Sequence, residues 1–282
     1  MNYKIVGDSC AEIPEYLKDR RNIVNVPFGM ELDGKFYVDE EGFDTMEWIR
    51  IMAASPNCPK SSCPSPEDFM KHFTGNEKRI YVITISKELS GSYNSAVLAK
   101  SLYEEEHDDK DIIVIDSLSA AAGETAILTK LVELEEMGLD FQEISERILK
   151  FRDEHILYFV LDNLETLRKN GRLSKIKAGL ATTLKIKPIT YADKGVIEQR
   201  GQAVGLKKAL QKMVEYVMED ANKKGHVFEE RNLVITHCNC EERAQYVKSL
   251  FEEKATFKDV IVVKTQGLAT MYANDGGIIV AC

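Results

Sequence analysis

The chain has 282 residues, with 37 Lys+Arg against 46 Asp+Glu and a net charge of -9. Such an acidic balance argues against a sequence-independent grip on DNA or RNA, which needs a basic face for the phosphates, so no nucleic-acid partner is expected. The apolar fraction of 44% and charged fraction of 29% are ordinary for a globular protein, and the length suffices to bury a core without disulfide staples.

At roughly 150 residues per domain, two domains are expected. No apolar run approaches the ~20 residues that cross a bilayer, so no integral membrane segment is expected. The longest run, 156–161, is strand-sized. Met1-Asn2-Tyr3-Lys4 leads straight into a strand-like segment with no apolar signal region, which points to a cytoplasmic protein. The six cysteines are scattered and read as free thiols.

Strands are predicted at 3–7, 23–30, 35–38, 80–85, 112–115, 157–161, 186–189, 233–236, 260–263 and 278–281. Helices are predicted at 45–54, 66–73, 91–103, 123–137, 141–151, 164–170, 174–184, 205–222 and 241–251. Several strands are continuous apolar runs, which suits parallel strands covered on both faces, and the alternation with helices gives an α/β class. Asp33-Gly34 supplies the positive φ angles of a two-residue primed turn, so an antiparallel hairpin is expected there. The pattern restarts after Glu154-His155, which sets the expected domains at 1–155 and 156–282.

Five segments can carry chemistry. In Lys60-Ser61-Ser62-Cys63-Pro64-Ser65-Pro66-Glu67-Asp68, Ser65 is a helix cap, Pro66 suits the first helical position and Asp68 can reach back to the cap. Ser61 and Ser62 precede that helix, where they either face a ligand or make local turn hydrogen bonds. Ser90-Gly91 follows a strand and opens a helix, where N–H groups and a partial positive charge collect; Gly91 permits close approach of a ligand, and the alternative is a plain Ser cap. Asp8-Ser9 and Asp116-Ser117 end strands in the same half, which suggests a shared crevice, although Asp-Ser is also ordinary turn chemistry. Arg168, Lys169 and Arg172 form a basic patch on an acidic chain, suited to a phosphate or an acidic partner, or to the helix dipole alone.

His237-Cys238-Asn239-Cys240 lacks a second Cys/His pair at ligand spacing, so no metal is expected. The chain has no Gly-x-Ser-x-Gly nucleophile elbow, which weighs against a serine hydrolase, and no Gly-rich dinucleotide fingerprint, so no cofactor is inferred.

Taken together, these segments resemble the DegV family of fatty-acid-binding proteins over nearly the whole chain. Asp8-Ser9 matches the family's first strand end. Ser61-Ser62-Cys63-Pro64-Ser65 is similar to its Thr-Ser-Gln-Pro-Ser loop, and Leu89 to Ala96 to its Leu-Ser-Gly-Thr-Tyr-x-Ser-Ala turn. Asn170 to Ser174 is similar to Gly-Gly-Arg-[Ile/Val/Leu]-Ser, and Ile186-Lys187-Pro188 follows as in relatives. The resemblance implies a two-domain α/β fold of mostly parallel sheets flanked by helices, with the ligand cleft between the domains. It implies a long-chain fatty acid as partner, its carboxylate held by Ser61 and Ser90, with Ser62, Gly91, Ser9 and Asp8 around it. It also implies a binding protein rather than an enzyme, one that presents the bound acid to a separate fatty acid kinase; Arg172 and Arg168 are the expected docking residues. The alternatives are a serine-dependent acyl hydrolase and a module for another small anionic metabolite. The sequence departs from the family pattern at Ser61 (usually Thr), Cys63 (usually Gln), Ala273 (His in many relatives) and Val204 (often Arg).

Overall fold

The computed structural model describes residues 2–173 and 185–282. The helix expected at 174–184, and with it Ser174, lies outside the described residues.

The first half opens with β1 (Tyr3–Asp8), β2 (Ile23–Val26), the hairpin β3 (Gly29–Leu32) and β4 (Lys35–Val38), and α1 (Thr45–Ala54). It continues through β5 (Lys60–Ser62), α2 (Pro66–Met70), β6 (Arg79–Thr84), α3 (Ser92–Glu106), β7 (Asp111–Asp116), α4 (Ala122–Glu136) and α5 (Phe141–Glu154). Strands β2-β1-β6-β7 form an all-parallel sheet in that order. Its apolar runs split by alternation, as a strand buried on both faces requires. Ile5, Tyr81, Ile83 and Ile115 pack against α4 and α5, while Val6, Ile80, Val82 and Ile112 pack against α2 and α3. Strands β4-β3-β5 make a small separate sheet.

Local signals in the sequence correspond to local structure. Asp33 (φ 53) and Gly34 (φ 73) form the β3–β4 turn. Ser65 and Asp68 make a reciprocal capping box with Pro66 in the first turn of α2. The strand expected over 23–30 is instead two strands in two different sheets. Pro27, between them, has no N–H to donate to a continuing ladder.

The second half contains β8 (Leu157–Val160), α6 (Glu165–Lys169), β9 (Ile186–Asp193), β10 (Val196–Val204) and α7 (Leu206–Lys223). There follow β11 (Asn232–His237), α8 (Glu241–Glu252), β12 (Asp259–Lys264), α9 (Gly267–Ala273) and β13 (Ile278–Ala281). The sheet order is β10-β9-β8-β13-β11-β12. The expectation of parallel strands holds for the first sheet and not for this one, where only β11–β12 is parallel. The tight Lys194-Gly195 turn (φ 49 and 85) forces β9 and β10 to pair antiparallel, because a parallel connection needs a long crossover. Helices α7 and α8 cover one face, burying Tyr158, Val160, Ile235 and Val280 under Met213, Val217 and Phe251. The other face carries Leu157, Phe159, Val234 and Ile279, and meets Phe28, Ala121 and Ala122 of the first half.

The short helix α9 is absent from the elements that the sequence predicts. Asp39 holds its first turn, accepting hydrogen bonds from the N–H groups of Gly267 (2.7 Å) and Leu268 (2.8 Å). A Cβ at Gly267 would stand 2.6 Å from the Asp39 carboxylate, so this close approach requires glycine.

Candidate functional site

Between the two sheet layers lies a cavity of about 350 Å³. That is at the lower end of the ~300–1,000 Å³ of small-molecule pockets. Much of its apolar wall follows from strand period: Leu157 and Phe159, two apart on β8, and Leu161 just beyond it, point into the cavity, while Tyr158 and Val160 point into the helix-covered core. Ile279, opposite Phe159 in the sheet, and Phe28 and Ile85 from the first half complete that wall.

One end is polar. Ser61 and Ser62 of β5, and Cys63 just after it, reach it, and β5 is held by pairing of Ser61 with Met30 and of Ser62 with Gly29. A Cβ at Gly29 would stand 2.5 Å from Ser62 Oγ, so glycine permits this packing. Ser90 and Gly91 arrive on the loop before α3, and the Cβ position of Gly91 is 3.2 Å from Cys63 Sγ. Ser90 Oγ accepts from the Ser92 N–H (3.2 Å), a local turn bond; the cap of α3 is Gly91, not Ser90. Arg172 crosses from the second half, donating from Nε to the Leu89 carbonyl (3.2 Å) and from a terminal nitrogen to the Asn170 carbonyl. Asn170 in turn donates to the Pro59 carbonyl (3.0 Å). Thus the segment 170–172 touches both loops that carry the serines.

The structure brings Ser61, Ser62, Ser90, Gly91 and Arg172 onto one cavity. It does not place Asp8, Ser9 or Arg168 on its wall. Asp8 is fully buried; its carboxylate accepts from the N–H groups of Cys10 (3.1 Å) and Ile85 (2.9 Å) and from Ser92 Oγ (2.6 Å). Those bonds brace the loop that presents Ser90. Ser9 Oγ accepts from the Phe28 N–H (3.0 Å), and Asp116 accepts from the N–H groups of Lys87 and Leu118. Strand-end polarity therefore marks loop scaffolding at these positions. Arg168 is exposed and paired with Glu165 at 2.8 Å. His237 Nδ1 accepts from the Cys240 N–H at the start of α8 (3.3 Å).

The tip of the β9–β10 hairpin also closes on this loop, since Ser86 Oγ donates to the Gly195 carbonyl (2.9 Å). With φ +85 and a would-be Cβ 2.2 Å from Ser86 Oγ, position 195 requires glycine. Gly195→Ala is expected to lower unfolding free energy by about 2 kcal/mol, from left-handed strain plus the clash. Denaturant unfolding checks this, and an unchanged midpoint would show that the tip is not seated on Ser86.

Two features escaped the sequence reading. Tyr272 of α9 lines the cavity, and its hydroxyl lies 3.0 Å from Ser61 Oγ. Burial raises its pKa, so it is a protonated phenol at neutral pH. The first half also buries acids, Asp8, Glu12 and Glu124 beside the cavity-lining Cys10, and Asp39 at the start of α9. Neither carboxylate oxygen of Glu12 or of Glu124 has a hydrogen-bond partner among the described residues. Burial pushes Glu12 up to about 8 and Asp39 to about 6, and raises Asp8, Glu124 and the Cys10 thiol. An acidic helix start such as Glu124 gives no sequence signal of burial, because the same residue is common on exposed first turns.

Fold and site define an α/β protein with an apolar cavity between its two larger sheets, capped at one end by hydroxyls and one arginine. The family model described as "Uncharacterised protein, DegV family" matches residues 2–281, and the chain belongs to the DegV family. A DegV domain-containing protein of Streptococcus pneumoniae is 33% identical over 99% of this chain and 98% of its own length. Among solved structures, a DegV family protein from Ruminococcus gnavus, refined with vaccenic acid, is 44% identical. Its TM-score is 0.96, with 100% of this chain and 99% of that chain covered. The Streptococcus pneumoniae Fatty Acid Kinase (Fak) B3 protein, loaded with linoleic acid, is 33% identical; its TM-score is 0.89, with 100% and 99% covered. Among the described residues, no helix is long and apolar enough to cross a membrane.

Proposed function

We propose that this chain binds a long-chain fatty acid in the cavity between its two sheet layers, with the carboxylate held by the hydroxyls of Ser61 and Ser90. Residues 1–155 and 156–282 are the two lobes that enclose it. The observation that carries this reading is the cavity itself: an apolar wall around Phe159 and Ile279, ending at Ser61, Ser90 and Arg172. The vaccenic and linoleic acids of the similar structures support the same ligand class.

The energetics agree. Burying about 14 methylenes at ~0.8 kcal/mol each offers about 11 kcal/mol as an upper bound, before association and ordering costs. The carboxylate must then be solvated by protein, because an unpaired buried charge is costly. Two hydroxyl donors, N–H groups near Gly91 and the Arg172 guanidinium supply that solvation.

The similarity to the pneumococcal Fatty Acid Kinase (Fak) B3 protein supports a kinase as partner. In this reading the kinase docks beside Arg172 and Arg168 and receives the bound acid. With both proteins saturated with acid, Arg172→Glu is expected to slow acyl-phosphate formation with a purified partner kinase at least tenfold; an undiminished rate would remove Arg172 from the docking role. The binding reading is tested by calorimetric titration with a C18 acid, alongside incubation with a chromogenic ester. Saturable binding of the acid without ester turnover is expected, and turnover lost on serine labelling would favour the hydrolase.

A further inference from the structure

Ser61 belongs to the small sheet of the first half, and Tyr272 to α9 of the second, 211 positions later in the chain. Their hydroxyls are hydrogen-bonded across the polar end of the cavity. Tyr272 is held in place. Its helix is fixed at the first turn by Asp39 and again by the 2.8 Å bond between the Thr265 and Thr270 hydroxyls, and the Tyr272 carbonyl accepts from Asn274. A serine hydroxyl has one proton and a free rotor. Either hydroxyl of this pair can be the donor.

A carboxylate only accepts hydrogen bonds. If it takes the Ser61 proton, the bond between Ser61 and Tyr272 has only one permitted sense: the phenol donates to Ser61 Oγ, and Ser61 donates to the ligand. Such a relay polarises both hydroxyls, strengthening the bond that reaches the charge. An uncharged head group gains less from it.

We infer that Tyr272 is a positioning residue for the anionic head group, which orients the Ser61 hydroxyl toward the ligand and makes the site prefer the ionised acid to neutral lipids of equal chain length. The inference rests on the fatty-acid reading above. It adds that head-group recognition depends on a contact between the two halves, so that loading the site fastens the small sheet to α9.

The test is Tyr272→Phe, which keeps the ring and removes only the hydroxyl, measured by titration with stearic acid and methyl stearate in the unaltered and Ser61→Ala backgrounds. In the unaltered background the acid is expected to bind about fivefold more weakly, as for loss of one hydrogen bond, with the ester changed less than twofold. In the Ser61→Ala background the same substitution should change acid binding less than about twofold, because the group it acts through is gone. An equal loss for acid and ester would show that Tyr272 serves packing alone and would overturn the inference. So would an unchanged acid affinity, or the full fivefold loss persisting without Ser61. The unaltered chain separates the two levels: if it does not bind stearic acid, the fatty-acid reading fails and takes the relay with it, whereas normal binding with an insensitive Tyr272→Phe sinks the relay alone.

Discussion

The Ser61→Ala/Ser90→Ala double variant is expected to bind a C18 acid about 2–4 kcal/mol more weakly than the unaltered chain, taking 1–2 kcal/mol per hydrogen bond to a charge. That is roughly a 30- to 1,000-fold rise in Kd. The loss is large because the apolar wall still draws the chain in while the carboxylate meets two methyl groups instead of two donors. Arg172 and the N–H groups near Gly91 remain, so binding is weakened and not abolished. Both serines are only partly buried, and Ser90 makes a single long turn bond, so folding should change little. Titration of the double variant checks this. An unchanged affinity would mean that the head group lies elsewhere.

The second large effect concerns pH. Glu12 is fully buried and without a hydrogen-bond partner among the described residues, and burial raises it from 4.5 to about 8. The folded state therefore holds a proton that the unfolded chain releases. The stability this contributes is full below pH 4.5 and is lost as pH rises through 8. At about 1.4 kcal/mol per pH step, the loss amounts to about 3 kcal/mol between pH 4.5 and 7. Asp8 and Glu124, raised by the same burial, act in the same direction. His155 and His226 act oppositely. Burial lowers both to about 4, so their contribution is present above pH 6.5 and fades as pH falls toward 4. The interval from pH 6.5 to 8 thus isolates the acids. Glu12→Gln, which cannot ionise, is expected to flatten the decline there and to exceed the unaltered chain in stability at pH 8 by a few kcal/mol. Urea unfolding at a series of pH values measures it, and parallel declines in the two proteins would contradict the assignment.

Much of this architecture was legible where the signal is local. The Asp33-Gly34 turn, the Ser65–Asp68 capping box and the strand–loop–helix around Ser90-Gly91 each depend on residues a few positions apart, and each is found as read. What was illegible depends on distant contacts. The β10 strand lies at a sheet edge with only Ile197 of its residues buried, and carries too little apolar alternation to stand out. Helix α9 is seven residues long, and its first turn is satisfied by Asp39, more than two hundred positions earlier. Asp8 and Ser9 show why strand-end polarity is ambiguous. Their positions were legible, but the direction of their side chains depends on where the N–H groups of Ile85 and Phe28 come to lie. The same limit hid Tyr272, whose partner Ser61 is near only in the fold.

The central claim is that the space between the sheets is a fatty-acid site with its acidic end at the serines. A crystal structure of the protein loaded with stearic acid tests it most directly. The account predicts an extended chain running past Phe159 and Ile279, with its carboxylate within about 3 Å of Ser61 Oγ and Ser90 Oγ. A carboxylate found among the Phe159 and Ile279 side chains, or lipid bound only outside the cavity, would contradict it.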